Sequence, residues 1–587
     1  MKQIYIIAFF LFAFPVFSQV FIKPYGNQDS YLYVEGQLLF VENGIDLTLN
    51  PSETTKAGIY LRDEAQLLQG NSNSANTGNG LISVFQEGNA TAFTYNYWSS
   101  PVQNKSNSLL FGNILFEPID KTTSKYALIT NELNGNANPL TISKRWIYKF
   151  TGTDYSDWVY AGNTFDLSPG EGFTMKGVSG TNMNVVLYGI ANNPGNKQRY
   201  DFRGKPNNGS ISLSVNKDVS KLVGNPYPSA LDLNAFLQDN KSITGIAYFW
   251  DSSPVTSHYL TEYEGGYGSY SPAAGNKGYV PAVFSKYDGG GNPLNHNAES
   301  GNYYARRYSP IGQGFLVVGN QNGILSFKNE YRKFEKENSS TSEFKSKENP
   351  TKNTDAEPIA LLRLNIEFNN QYVRQLLLVH SEMATPGIDR AMDAQNLSVL
   401  ETDIGWFLEN ESYLINVLPF EESDKIPFFL NLAEKKEVSF KIVGLENFNS
   451  EVFLFDSETG LVHDLKNQEY KIHLDKGEYH KRFMIIYTNP NLISAKDKIV
   501  ELERLPDVLS IFQNNPATRL EIAVPLDYLP NSISLFDSSG RKIFESKGVN
   551  NQNYQEFSTE NLSNGIYIVK ITGPKGHIVS KKVIISN

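Results

Sequence analysis

The chain has 587 residues, a formal net charge of −10, 13% aromatic residues and no cysteine. That length exceeds what one hydrophobic core supports, so about three to five domains are expected, and the abundant Gly, Asn, Tyr and Phe favour strands and turns over helices. The missing cysteine excludes disulfides, thiolate metal sites, a Cys nucleophile and a lipid-anchored N-terminal Cys, and the acidic balance argues against nucleic acid as a partner, because phosphate binding needs a Lys/Arg surplus.

The opening "MKQIYIIAFFLFAFPVFSQV" has basic Lys2, an apolar stretch from Ile4 to Phe17, and Val16 and Ser18 ahead of a cut before Gln19. This is the layout of a secretory signal peptide over residues 1–18, too short to span a bilayer comfortably. A first core strand is the other reading of the stretch. No later segment is long and apolar enough to span, so no membrane span is expected. Residues 19–93 read as short strands broken by turns, for example "SYLYVEGQLLFVENGIDLTLN" and "AGIYLRDEAQLLQG". They predict a small sandwich or a β-solenoid-like region.

Residues 94–332 read as duplicated β units, about 94–215 and 216–332. The first opens with "YNYWSSPV" and the second with "LVGNPYPSA". Each then has an aromatic strand, "RWIYKFTG" or "IAYFWDSS", and each reaches a Gly-x-Gly-Phe turn at Gly170 or Gly312. Neither turn is a nucleotide loop, because a strand and not a helix N-terminus follows; a tight turn before a core strand is expected. Residues 333–358 are rich in Lys, Glu, Ser and Asn and read as a polar linker. Residues 359–489 show strands and turns at the spacing of an antiparallel sandwich. Residues 490–507 read as a connector, and residues 508–587 as a small closing sandwich.

No Gly-x-Ser-x-Gly elbow or P-loop is present, and no catalytic residue or cofactor can be named. The nearest histidines, His463, His473 and His480, lack the spacing of metal ligands. Asp389 and Asp393 stand four apart and are the candidates for a calcium-type oxygen site; the alternative is that they cap turns or pair with Arg390. The aromatic text from Tyr248 to Pro272 suits either a glycan-binding face or ordinary sheet core, and a pair of buried acids in a deep cleft lined by Trp98, Trp146 or Trp250 would favour a hydrolase or carbohydrate-binding protein.

The last unit carries three motifs in order. "SISLFDSSGRKIFES" is a strand–turn–strand with Asp537, Gly540 and Arg541 at the turn. "LSNGIYIVKI" holds Leu562, Gly565 and Tyr567, and "SKKVIIS" holds Lys581 and Lys582. Together they resemble the type A C-terminal sorting domain of cargo exported by the type IX secretion system of Bacteroidetes-type bacteria. That family opens with an aromatic followed by Pro-Asn-Pro. Here Phe512 is followed by Gln513, Asn514, Asn515 and Pro516, so one proline is missing and one residue is inserted. Segments such as "DEAQLLQG", "LVGNPYPSALD" and "ATPGIDRAMDAQ" resemble parts of large surface proteins that carry the domain.

The resemblance implies a route. The signal peptide takes the chain across the inner membrane, and outer-membrane machinery recognises the folded C-terminal domain. A sortase-like peptidase then removes it, and the cargo is released or attached to surface lipopolysaccharide. The connector is the expected cleavage region. The overall expectation is an all-β protein, with several antiparallel sandwich-like domains in tandem ending in the sorting domain. It is secreted or surface-displayed, and its body is a non-catalytic adhesion-type array. The alternative is an extracellular carbohydrate-binding protein or hydrolase, with glycans as partners.

Overall fold

The computed structural model describes residues 20–52, 54–103, 114–164, 166–294, 299–337, 340–344, 359–369, 371–489, 509–524, 530–547, 554–573 and 578–587. The signal segment 1–18, residues 345–358 of the linker segment and the connector 490–507 lie outside the described residues. The fold is all-β, as expected; among the described residues one short α-helix, Leu233–Asp239, and a few 3-10 turns interrupt the strands. The chain divides into two compact units, residues 1–487 and 488–587. Among the described residues no helix is long and apolar enough to cross a membrane.

Residues 20–88 form stacked coils of parallel strands. Val20–Ile22 lies in register on Ile45–Leu47, Ser30–Glu35 on Ala57–Arg62, and Leu38–Val41 on Gln66–Gln69. Ala57–Arg62 pairs in turn with Leu81–Gly88. Leu81–Gly88 pairs antiparallel on its other side with Gln198–Pro206. Stacking places apolar residue over apolar residue: Ile59, Leu61 and Leu67 are buried, and Leu32, Val34 and Leu39 pack half-buried on the same core from the first coil. Arg62 is also fully buried. It donates to the Ser83 carbonyl (2.9 Å) and hydroxyl (2.7 Å) and faces Asp201 at 4.0 Å. Without these partners a buried guanidinium would be strongly destabilising.

The two units that follow exchange their turns. In the first, Tyr95–Trp98 pairs antiparallel with Phe173–Lys176; in the second, Ser220–Gly224 pairs antiparallel with Gly314–Val318. Glu171 of the first turn bridges to Val223 of the second unit, and Gln313 of the second turn bridges to Trp98 of the first. Gly172 N donates to Leu222 O and Gly224 N to Gly170 O, both at 3.0 Å, while Ser99 N donates to Gly312 O at 2.7 Å. Gly170 and Gly312 have φ of +85° and +71°, in the left-handed region that glycine enters without strain. Each turn therefore closes the other unit's opening strand. A nine-stranded sheet then crosses both units and includes Tyr148–Gly152, Ser220–Gly224, Gly314–Val318, Ala247–Ser252 and Glu264–Tyr270.

Part of the segment read as a linker is packed. Lys333 pairs with Ala230, and Phe344 is buried with its ring 4.6 Å from that of Trp98. Polar contacts hold it as well: Glu343 Oε2 accepts from Ala305 N (2.6 Å), and Glu337 Oε1 accepts from Gln86 Nε2 (2.6 Å).

Residues 359–489 build a twelve-stranded sheet around a core that includes Leu362, Leu364, Trp406, Phe428 and Phe440. Trp406 is fully buried and donates from Nε1 to Leu377 O at 3.0 Å. The core is continuous with Tyr97, Leu222 and Tyr248. The loop holding Asp389 and Asp393 straps this sheet to the α-helix. Arg390 donates from Nη1 to Leu237 O (2.8 Å) and Asn240 O (3.3 Å), carbonyls at the C-terminal end of the helix. A cation there satisfies orphan carbonyls and opposes the helix dipole.

The second unit is a small two-sheet sandwich. Ser510–Asn514, Arg519–Ala523 and Tyr554–Ser558 form one sheet; Lys542–Lys547, Ser532–Asp537, Gly565–Thr572 and Ile578–Ile585 form the other. Ile511, Leu520, Ile533, Leu535, Val569, Ile571 and Ile585 fill the space between them.

Candidate functional site

The sorting-type motifs fall on the second unit's two turns and its last two strands. Asp537 organises the first hairpin. Its Oδ1 accepts from Ser539 N (2.9 Å), Ser539 Oγ (2.6 Å) and Arg541 N (3.1 Å), and its Oδ2 accepts from Arg541 Nε (3.0 Å). The Ser539 hydroxyl, followed by the turn amides, holds the carboxyl down at about 2. Gly540 turns the chain at φ +85° and donates to Asp537 O. Tyr567 is buried between Asp537 on one neighbouring strand and Val583 on the other, and its hydroxyl donates to Ser563 O at 2.9 Å. Gly565 starts that strand opposite Ile585, and Leu562 packs on the core behind it. Lys581 and Lys582 face solvent on the edge strand, and Phe512 is 58% exposed.

Asn515 has a specific job in the turn it shares with Pro516. Its Nδ2 donates to Ile584 O (3.2 Å) and its Oδ1 accepts from Ser586 N (3.0 Å). Sequence reading missed the final residue. Asn587 donates from Nδ2 to Thr559 O (2.6 Å) and Leu562 O (3.0 Å), and its N donates to Asn564 Oδ1 (2.8 Å). No local pattern marks an asparagine at a chain end as a clamp. Tyr567→Ala is expected to cost the unit about 3–5 kcal/mol, measured by urea unfolding of the full chain followed at probes in each unit. Residues 574–577, the turn read between the last two strands, lie outside the described residues.

In the body, the three tryptophans separate. Trp98 is core, and Trp250 packs half-buried on Tyr267 (5.3 Å). Trp146 lies half-buried at the head of a cluster that sequence reading did not assemble. Its face covers Lys176 Nζ at 3.7 Å, with the Tyr95 and Tyr263 rings at 4.8 and 4.9 Å. His258 stacks on Trp146 at 4.8 Å and 8°. Lys176 Nζ contacts His258 Nδ1 (3.0 Å) and the Tyr263 hydroxyl, which itself donates to Phe93 O. Asn134 Oδ1 lies 2.6 Å from His258 Nε2; that nitrogen then carries the proton, and Nδ1 accepts from the lysine. Burial alone pushes the Lys176 amine down to about 7, and burial and then the lysine lower His258. Tyr155 and Tyr160 are exposed nearby, and burial, then Tyr263, Tyr148 and Tyr155, raise the Tyr95 phenol.

The calcium candidates are engaged with amides. Asp393 is buried and accepts from Asp389 N and Val417 N, both at 2.7 Å, and burial pushes its carboxyl up to about 7. Asp389 accepts from Thr385 N. His463 stacks on Tyr470, His473 faces Glu437, and His480 stacks on Phe429. Among the described residues, no three His, Asp or Glu are grouped to hold a metal.

Residues 514–586 match the family described as "Secretion system C-terminal sorting domain", and residues 23–487 match "Domain of unknown function (DUF8693)". No curated protein matches. Among solved structures, CopC from Methylosinus trichosporium OB3b is 21% identical over 13% of this chain and 90% of that one, with a TM-score of 0.11. A biofilm associated protein, BSP domain, is 7% identical over 86% of this chain and 96% of that one, with a TM-score of 0.12. TM-scores this low establish no shared fold. The sorting domain marks the chain as type IX secretion cargo, exported to the cell surface or the medium and engaging the secretion machinery. By its body, over residues 23–487, the chain belongs to the family described as Domain of unknown function (DUF8693).

Proposed function

We propose that this cargo is an adhesion-type, non-catalytic β-domain array. It leaves a Bacteroidetes-type cell by way of the signal peptide 1–18 and the sorting residues Phe512, Asn515, Pro516, Asp537, Gly540, Arg541, Leu562, Gly565, Tyr567, Lys581 and Lys582. A sortase-like peptidase cuts in the connector 490–507, and the body is released or joined to surface lipopolysaccharide. The observation that supports the array is the continuous core joining Tyr97, Leu222 and Tyr248 to the strands of residues 359–489, within one compact unit that presents exposed Tyr155 and Tyr160. A second reading, carbohydrate binding, is favoured by the aromatic cluster around Lys176.

The test is a panel of immobilised glycans and surface polymers probed with the full purified chain, run beside assays for released sugar ends. Retention on the panel without any release of product is expected. Turnover of a glycan that scales with protein concentration would contradict the array and favour a hydrolase.

A further inference from the structure

We propose that the Lys176 cluster is a binding site for an acidic sugar, whose carboxylate takes the place of the His258 imidazole at Lys176 Nζ while the sugar face stacks on Trp146. This rests on the carbohydrate-binding reading above and names its ligand class.

The first support is charge. Lys176 is 3% exposed, and burial is what acts on its amine, with no Asp or Glu among the described residues attracting it. Its polar contacts are an imidazole nitrogen and a phenol. Buried ammonium groups are ordinarily paired, because desolvation without a counter-ion is costly. A carboxylate supplies that counter-ion.

The second support is the wall. Trp146, Tyr95 and Tyr263 present ring faces to the amine, and Tyr148, Tyr155 and Tyr160 continue the aromatic surface outwards. Rings of this kind give large apolar contact with one polar handle, which suits a pyranose. His258 stands on the loop between Ala247–Ser252 and Glu264–Tyr270 and is half-buried, and in the proposal it swings aside to open the amine.

The third support is the duplication. Lys176 pairs with Tyr95 three residues beyond the Phe173–Trp98 pair, and the matching position in the second unit pairs Val318 with Ser220. Packing of the fold is therefore served by an aliphatic residue here, and the lysine is an addition to it.

The test is calorimetric titration of the full chain with an oligogalacturonate and with a neutral malto-oligosaccharide of similar length. Binding of the uronate alone is expected. It should weaken at least about tenfold in Lys176→Met and in Trp146→Ala, the loss typical of a charge-assisted contact. Near pH 8 the uronate should draw close to one proton from buffer, read from its heat in buffers of different ionisation enthalpy, and affinity should fall as pH rises further. Proton uptake is read on the unaltered chain, so it does not depend on any variant folding. Equal binding of the neutral sugar, unchanged uronate binding in Lys176→Met, absent proton uptake, or no uronate binding at millimolar concentration each overturns the proposal. If another neutral glycan on the panel is retained, carbohydrate binding itself survives that result.

Discussion

Asp403→Ala is expected to destabilise the body by about 3–5 kcal/mol, the usual result of removing one partner of a buried ion pair. Asp403 is fully buried. Its carboxylate accepts from Arg374 Nε (2.8 Å) and Nη2 (2.7 Å), from Asn396 Nδ2 (3.0 Å), and from the amides of Leu400 (3.0 Å) and Ile404 (2.9 Å). Substitution leaves the Arg374 guanidinium buried without a counter-ion and two amides without acceptors. The effect should be read as a fall in the urea midpoint with the slope unchanged. Asp403→Asn keeps the shape and part of the hydrogen bonding, so it should lose less. A loss under about 1 kcal/mol for the alanine variant would mean that water enters and the pair is not desolvated.

Lys176→Met is expected to act in the opposite direction and to stabilise the body at neutral pH. The folded chain holds the Lys176 amine neutral down to about 7; the unfolded chain protonates it near its ordinary value of about 10.4. Between those limits the unfolded state binds the extra proton, so this group's contribution falls as pH drops from about 10 to about 7 and is constant below that. The slope is at most about 1.4 kcal/mol per pH unit, reduced by the attraction of the Trp146 face for the cation. Thermal unfolding of the wild-type chain and Lys176→Met across this range should converge at high pH and separate towards neutrality, with the variant higher. Curves that stay parallel would show that the amine is charged in the folded chain throughout. A residue that costs stability where Val318 serves in the matching position fits a binding role.

What the sequence makes visible is mostly local. The period-2 alternation of Gly565–Thr572 and the Asp537–Arg541 turn lie in contiguous text, and both fold as that text suggests. The exchanged Gly-x-Gly-Phe turns are half legible. The motif repeats visibly, but crossing of one turn to the other unit's strand needs contacts between positions as far apart as Trp98 and Gln313. The parallel stacking is blurred because stacked partners lie 25 residues apart at Val20 and Ile45 but 28 apart at Leu38 and Gln66, so no fixed period appears. The aspartates four apart at Asp389 and Asp393 suggest oxygen ligands, while the structure gives their oxygens to amides and the docking role to Arg390. The Lys176 cluster draws on Tyr95, Trp146, Lys176 and the loop holding His258 and Tyr263, four separated segments, and no local pattern joins them. Aligning the two units would have found one trace of it, a lysine where the other copy has valine.

The export role rests on the second unit, whose last residues are clamped by Asn515, Asn564 and Thr559 into a closed sandwich. Its direct test is deletion of residues 508–587 from the chain in its own cell, followed by fractionation into cytoplasm, periplasm, surface and medium. The full chain is expected at the surface or in the medium, and the truncated chain is expected to accumulate inside the outer membrane. Normal surface or medium levels of the truncated chain would contradict the account.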